Sequence, residues 1–168
     1  MKLLQIFILL FIITGCSTLS RVSEPLSNAL DSVDKDGKPK EVTISVFALK
    51  NYTDTPQAGM RSANIIEGIL LAKGFRVVSH VSEKSYNLER AQEIAKEDGS
   101  KYFLRGGVSE WRYKTGIDGE PAVSMQTTIR KSKNSKVVWS ATGSDSDWGN
   151  SSIGTTAHDL LELMLETY

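Results

Sequence analysis

A chain of 168 residues with 40% hydrophobic side chains suits one compact domain with its own core. Its 20 basic residues balance 20 acidic ones, which excludes the electrostatic footprint of a nucleic-acid binder, so no nucleic-acid partner is expected. The single cysteine excludes an intramolecular disulfide.

Residues 1–15 read as a lipoprotein signal peptide. Lys2 supplies a short positive start, and residues 3–13 are almost unbroken hydrocarbon. That run is too short to span a bilayer comfortably, which favours a cleaved leader over a transmembrane helix. Ile13, Thr14, Gly15 and Cys16 then match the bacterial lipobox. Lipidation at Cys16 places several acyl chains on one residue, and stable anchoring needs more than one. Ser17 in place of aspartate after the cysteine directs such a protein to the outer membrane, anchored by its lipid at the periplasmic face. Residues 16–40, rich in Ser, Asp, Lys and Pro, are expected to form a flexible tether of roughly 80 Å reach. Such a tether fixes proximity to the membrane and leaves orientation free.

Residues 41–168 carry the periplasmic domain. "EVTISVFAL" (41–49) alternates as a strand, with Val42, Ile44 and Val46 on one face and Phe47 on the other. In "TPQAGMRSANIIEGILLAKG", Thr55 is the expected N-cap, Pro56 the first helical residue and Gly74 the residue past the C-terminus. Met60, Ala63, Ile66, Ile69 and Leu70 form its inward stripe. "FRVVSH" is a second strand, parallel to the first across the helical crossover. Asn87 caps a second, mostly solvated helix that stops at Gly99. Three strands follow as an antiparallel meander, and Gly106-Gly107 inside the first of them signals a bend, a bulge or close approach of another backbone. Ser151 or Ser152 caps a last helix with Ile153, Ala157, Leu160, Leu161 and Met164 inward. The order β-α-β-α-β-β-β-α is a single mixed-sheet α/β sandwich.

Chemistry is sparse. His80 and His158 lack partners at metal-ligand spacing. No phosphate loop or serine elbow occurs. Asp145 and Asp147 stand at positions one and three of a calcium loop, but Asn150 replaces its glycine and Thr156 its glutamate. Asp118 and Glu120 flank Gly119 on a turn, where acid–base work is conceivable and solvated turn residues are the blander account. No catalytic residue, cofactor or metal site is expected. Trp148 stands out among Gly, Ser, Asn and Asp, as an indole that either folds onto the core or is received by something outside the protein.

The stretches "NYTDTPQAG" (51–59), "VSEWRYKTGIDGEPAVSM" (108–125) and "VVWSATG" (137–143), with the lipobox, resemble the PelC family, the outer-membrane lipoproteins of Pel exopolysaccharide export. The likeness runs from residue 41 to the C-terminus, and the long hairpin carries it. "VVWS" is shared with LpoB-type synthase activators and relatives of CsgG. The resemblance implies a non-enzymatic homo-oligomeric ring, a dodecamer, beneath a PelB export porin. Its acidic lumen would guide a cationic, partly deacetylated amino-sugar polymer. It implies Asp118 and Glu120 as polymer-guiding residues, with Asp145 and Asp147 behind them, and Trp148 as the loop aromatic that meets membrane lipid. Arg112 and Tyr113 are the candidates for subunit packing, with ordinary sheet packing inside one subunit as the alternative. Two other readings stay open: a monomeric activator lipoprotein of a cell-wall synthase, and a glycosidase built on Asp118 and Glu120.

Overall fold

The computed structural model describes residues 18–22, 26, 30, 41–114, 119–147 and 151–166. Strands β1 (Thr18–Val22), β2 (Thr43–Phe47), β3 (Lys50–Asn51), β4 (Arg76–His80), β5 (Tyr102–Tyr113), β6 (Pro121–Lys131) and β7 (Val137–Ser146) form one open sheet. Helices α1 (Ala58–Ala72), α2 (Leu88–Glu97) and α3 (Ile153–Leu165) cover it. The spatial order is β1-β7-β6-β5-β2-β4, with β3 alongside β5. β2 runs parallel to both β4 and β5, as the α1 crossover requires, and β5, β6 and β7 form the expected antiparallel meander.

The alternation of β2 explains a core on both faces. Ile44 and Val46 join the main core with Ile66, Leu70, Leu104, Trp139 and Leu160. Phe47 points the other way and meets Phe103, Ala91, Ile94 and Ala95 beneath α2. The Phe47 ring stacks on His80 at 4.9 Å and meets Phe103 edge-on. Helix ends follow the sequence closely. Asn87 accepts from the Arg90 amide at 2.8 Å, and Ser152 accepts from the Thr155 amide at 3.1 Å. Gly74 closes α1 at φ 84°, with the Phe75 amide donating to the Leu70 carbonyl. Gly106 answers the close-approach signal, since a Cβ there would stand 2.1 Å from the Gln126 carbonyl oxygen of β6.

One expectation is corrected. Thr55 does not cap α1; its hydroxyl donates to the Trp111 carbonyl, and Gln57, at φ 61°, occupies the N-cap position. Pro56 therefore precedes the helix. Of the segment expected to be a tether, residues 18–22, 26 and 30 are among those described. Residues 18–22 pair with β7 as an added antiparallel strand, and Leu26 and Leu30 are both 0% exposed in the main core. The Leu30 amide donates to the Leu26 carbonyl at 3.0 Å, so the two side chains lie one helical turn apart. The Tyr102 hydroxyl then donates to the Leu30 carbonyl at 3.2 Å. β1 joins the edge through backbone hydrogen bonds, which need no apolar pattern, and for that reason its polar composition conceals it.

Candidate functional site

The meander gathers the candidate residues at one end of the sheet. Tyr113 pairs with Pro121 and Ala122 with Ser146, so the β5–β6 hairpin and the end of β7 lie side by side. The Asp147 amide donates to the Pro121 carbonyl at 3.3 Å, which draws Asp147 beside Glu120. Asp145 pairs with Val123. Glu120, Asp145, Asp147, Arg112 and Tyr113 are thus brought together, while Cys16, Asp118 and Trp148 lie outside the described residues. β1 starts at the same end, with Thr18 opposite Ser144.

The pole is acidic with interspersed cations. Lys114 reaches Glu120 at 3.4 Å, and the Lys114 amide donates to the Glu120 carbonyl at 2.6 Å, closing the hairpin. Asp147 accepts from the Ser151 hydroxyl. A shallow cleft of about 110 Å³ is lined by Glu110, Lys114, Ser144 and Asp145. Arg112, a candidate for a carboxylate in a neighbouring subunit, is met within its own strand by Glu110 at 2.9 Å. The Tyr113 hydroxyl accepts from the Ile153 amide at 3.1 Å and thereby fastens the hairpin to the first turn of α3. Both residues therefore have work inside one subunit.

Catalytic geometry does not emerge at this pole. Among the described residues no group of three or more His, Cys, Asp or Glu is arranged to hold a metal. A serine–aspartate–histidine cluster does occur at the opposite end, and it was not legible in the sequence. His80 Nε2 lies 2.7 Å from Asp98 Oδ2, and the Ser45 hydroxyl donates to the same oxygen at 2.6 Å. Ser45 is sealed at 0% exposure and points its proton at the carboxylate and not at the imidazole. The cluster lacks the serine–histidine contact of a nucleophile and instead ties the end of α2 to β2 and β4.

Sequence reasoning also missed the outer face of the sheet. Alternation along β6 turns Ser124, Gln126 and Thr128 away from the core, and Thr142 and Ser140 of β7 stand beside the last two. Tyr52, just past β3, is 61% exposed and lies over Gly107, where a Cβ would come within 2.8 Å of its ring. At the far end of this face Arg105 donates to the Tyr86 carbonyl at 2.6 Å. Burial, and then the neighbouring Arg130, lower its pKa below the ordinary arginine value.

No family model and no curated protein sequence matches the chain. Solved structures do. The PelC dodecamer from Paraburkholderia phytofirmans is 31% identical over 89% of this chain and 96% of that one, with a TM-score of 0.70. The lipoprotein GNA1162 from Neisseria meningitidis, 20% identical over 74% of this chain and 95% of that one, has a TM-score of 0.56. The C-terminal domain of LpoB from Salmonella enterica, 20% identical over 70% and 90%, has a TM-score of 0.50. The last two share the fold alone. Among the described residues no helix is long and apolar enough to cross a membrane.

Proposed function

The chain belongs to the PelC family, and from that premise we propose that it is a non-catalytic, ring-forming lipoprotein of the outer membrane. It guides a cationic, partly deacetylated amino-sugar exopolysaccharide through the periplasm to a PelB-like export porin. The observation that carries this reading is the likeness, over nearly the whole length of both chains, to a protein that crystallises as a dodecamer. The acidic pole supplies the physics. Like charges repeated around a concave wall raise the local concentration of a polymer of opposite sign. A chain with balanced overall charge can line such a wall, because distribution and not total charge sets the field.

The early strand alters how the anchor acts. Cys16 precedes Thr18 by two residues, a reach of about 7 Å. Lipid on Cys16 therefore holds the β1 start, and with it the Glu120–Asp147 pole, against the membrane beneath the porin. Trp148 follows Asp147 directly in the chain, and an indole, with one wet and one apolar edge, suits the lipid interface. Orientation comes from lipid and tryptophan together, repeated around the ring.

Two measurements test this. Native mass spectrometry of the soluble chain beginning at Ser17 is expected to give a closed oligomer, and a stable monomer at micromolar concentration sinks the ring. Trp148→Ala is expected to leave Tm within about 2 °C, as surface changes do, while lowering polymer secretion several-fold. A drop of many degrees would instead identify a core residue.

A further inference from the structure

Two adjoining clefts of about 430 and 280 Å³ run across the outer face of the sheet and share Tyr52, Ser109 and Ser124. The smaller is lined also by Gly107, Met125, Gln126 and Thr142, all uncharged, while Asp54, Glu110 and Arg112 line the larger. Tyr52 is exposed yet fixed. Its amide donates to the Val108 carbonyl at 2.9 Å, its ring rests over Gly107, and Lys50 Nζ sits 4.9 Å from the ring centroid. The ring is thus a mounted platform beside a floor of hydroxyl and amide groups. Each serine or threonine hydroxyl offers one donor and two acceptor lone pairs, and the Gln126 amide offers both kinds. The Ser109 and Ser124 hydroxyls already exchange a hydrogen bond at 3.1 Å, which orients them.

An aromatic face beside neutral hydroxyl and amide groups complements a pyranose ring. The C–H face of the sugar packs on the indifferent π surface, and its hydroxyls exchange hydrogen bonds with the floor. A protein partner fits less well, because the centres of protein interfaces are apolar and depleted in serine. An ammonium-bearing sugar is disfavoured at the Tyr52 ring by the Lys50 ammonium beside it, whereas an N-acetylated one carries an amide that Gln126 can match. We infer that this face is a second polymer subsite, taking neutral N-acetylhexosamine units on Tyr52, Ser124, Gln126 and Thr142, while the acidic pole takes the deacetylated units. The inference rests on the reading above that the chain handles a partly deacetylated amino-sugar polymer. It adds that both kinds of unit are recognised, at separate places.

The test uses the full lipidated chain in detergent and two immobilised probes, N-acetylglucosamine oligomers and fully deacetylated glucosamine oligomers, read by biolayer interferometry. The wild-type chain is expected to bind both. Tyr52→Ala and Gln126→Ala are each expected to weaken the acetylated arm at least tenfold and leave the deacetylated arm within twofold, and Tyr52→Phe, which keeps the ring, is expected to bind as wild type. An acetylated arm unmoved by Tyr52→Ala, or both arms falling equally, overturns the subsite. So does collapse of the oligomer in Tyr52→Ala by native mass, which would make this face a subunit contact. Wild-type binding to the deacetylated probe alone overturns the subsite and leaves the proposed function standing. Binding to the acetylated probe alone does the reverse.

Discussion

Leu26→Ala and Leu30→Ala are each expected to destabilise the domain by about 2–5 kcal/mol, the range for truncating a buried leucine. At this size that lowers Tm by roughly 5–15 °C, readable by circular dichroism. Both side chains are fully buried against the main core, and the Leu30 carbonyl is held by the Tyr102 hydroxyl. A mobile tether would give less than about 0.5 kcal/mol at either position, as exposed sites do. A chain begun at Glu41 should fare worse than either variant. It loses both leucines and β1, and leaves β7 as an uncovered edge ready to pair with another chain. Wild-type-like melting of that shortened chain would identify residues 16–40 as a spacer and leave the orientation of the domain at the membrane free.

Where local pattern decides structure, the sequence was readable. The alternation of Val42, Ile44 and Val46 against Phe47 placed β2 between two cores, and Asn87, Ser152, Gly74 and Gly99 marked helix ends because capping is a local hydrogen-bond problem. Thr55 misled because its hydroxyl has a distant competitor for its proton, the Trp111 carbonyl, which only the packed structure supplies. β1 was hidden because strand addition at an edge draws on backbone groups. For the site, the approach of Asp147 to Glu120 comes from the β6–β7 register and the Asp147 amide on the Pro121 carbonyl, which no turn signal states. The Tyr52–Gly107 pairing was not implied by anything local: it depends on the parallel register of β3 with β5, where Lys50 faces Gly107. The glycine was noticed; what it makes room for was not.

The combined variant Glu120→Gln, Asp145→Asn and Asp147→Asn is expected to slow association with a cationic glucosamine polymer about 100-fold at low ionic strength. That figure lies within the range for electrostatic steering. At 0.15 M salt the loss should shrink to about tenfold, because the screening length there is about 8 Å. The described carboxylates at this pole include Glu110, Glu120, Asp145 and Asp147, with Arg112 beside Glu110 and Lys114 beside Glu120. Neutralising three of these carboxylates removes most of the attraction that the wall offers a cation, and a ring multiplies the loss. The folding cost should be small. Each replacement keeps the shape and one acceptor oxygen, so the Ser151 hydroxyl still has a partner at position 147. The Glu120–Lys114 pair is partly exposed, and pairs of that kind contribute about 0–1 kcal/mol. Oligomer mass and Tm should therefore stay near wild type, while Glu97→Gln, on exposed α2, serves as a charge control with no effect on rate. An unchanged rate in the triple variant would remove the acidic pole from polymer guidance. A rate that fell equally at high and low salt would mean that the residues act through shape, because a field must weaken as counterions gather and a contact need not.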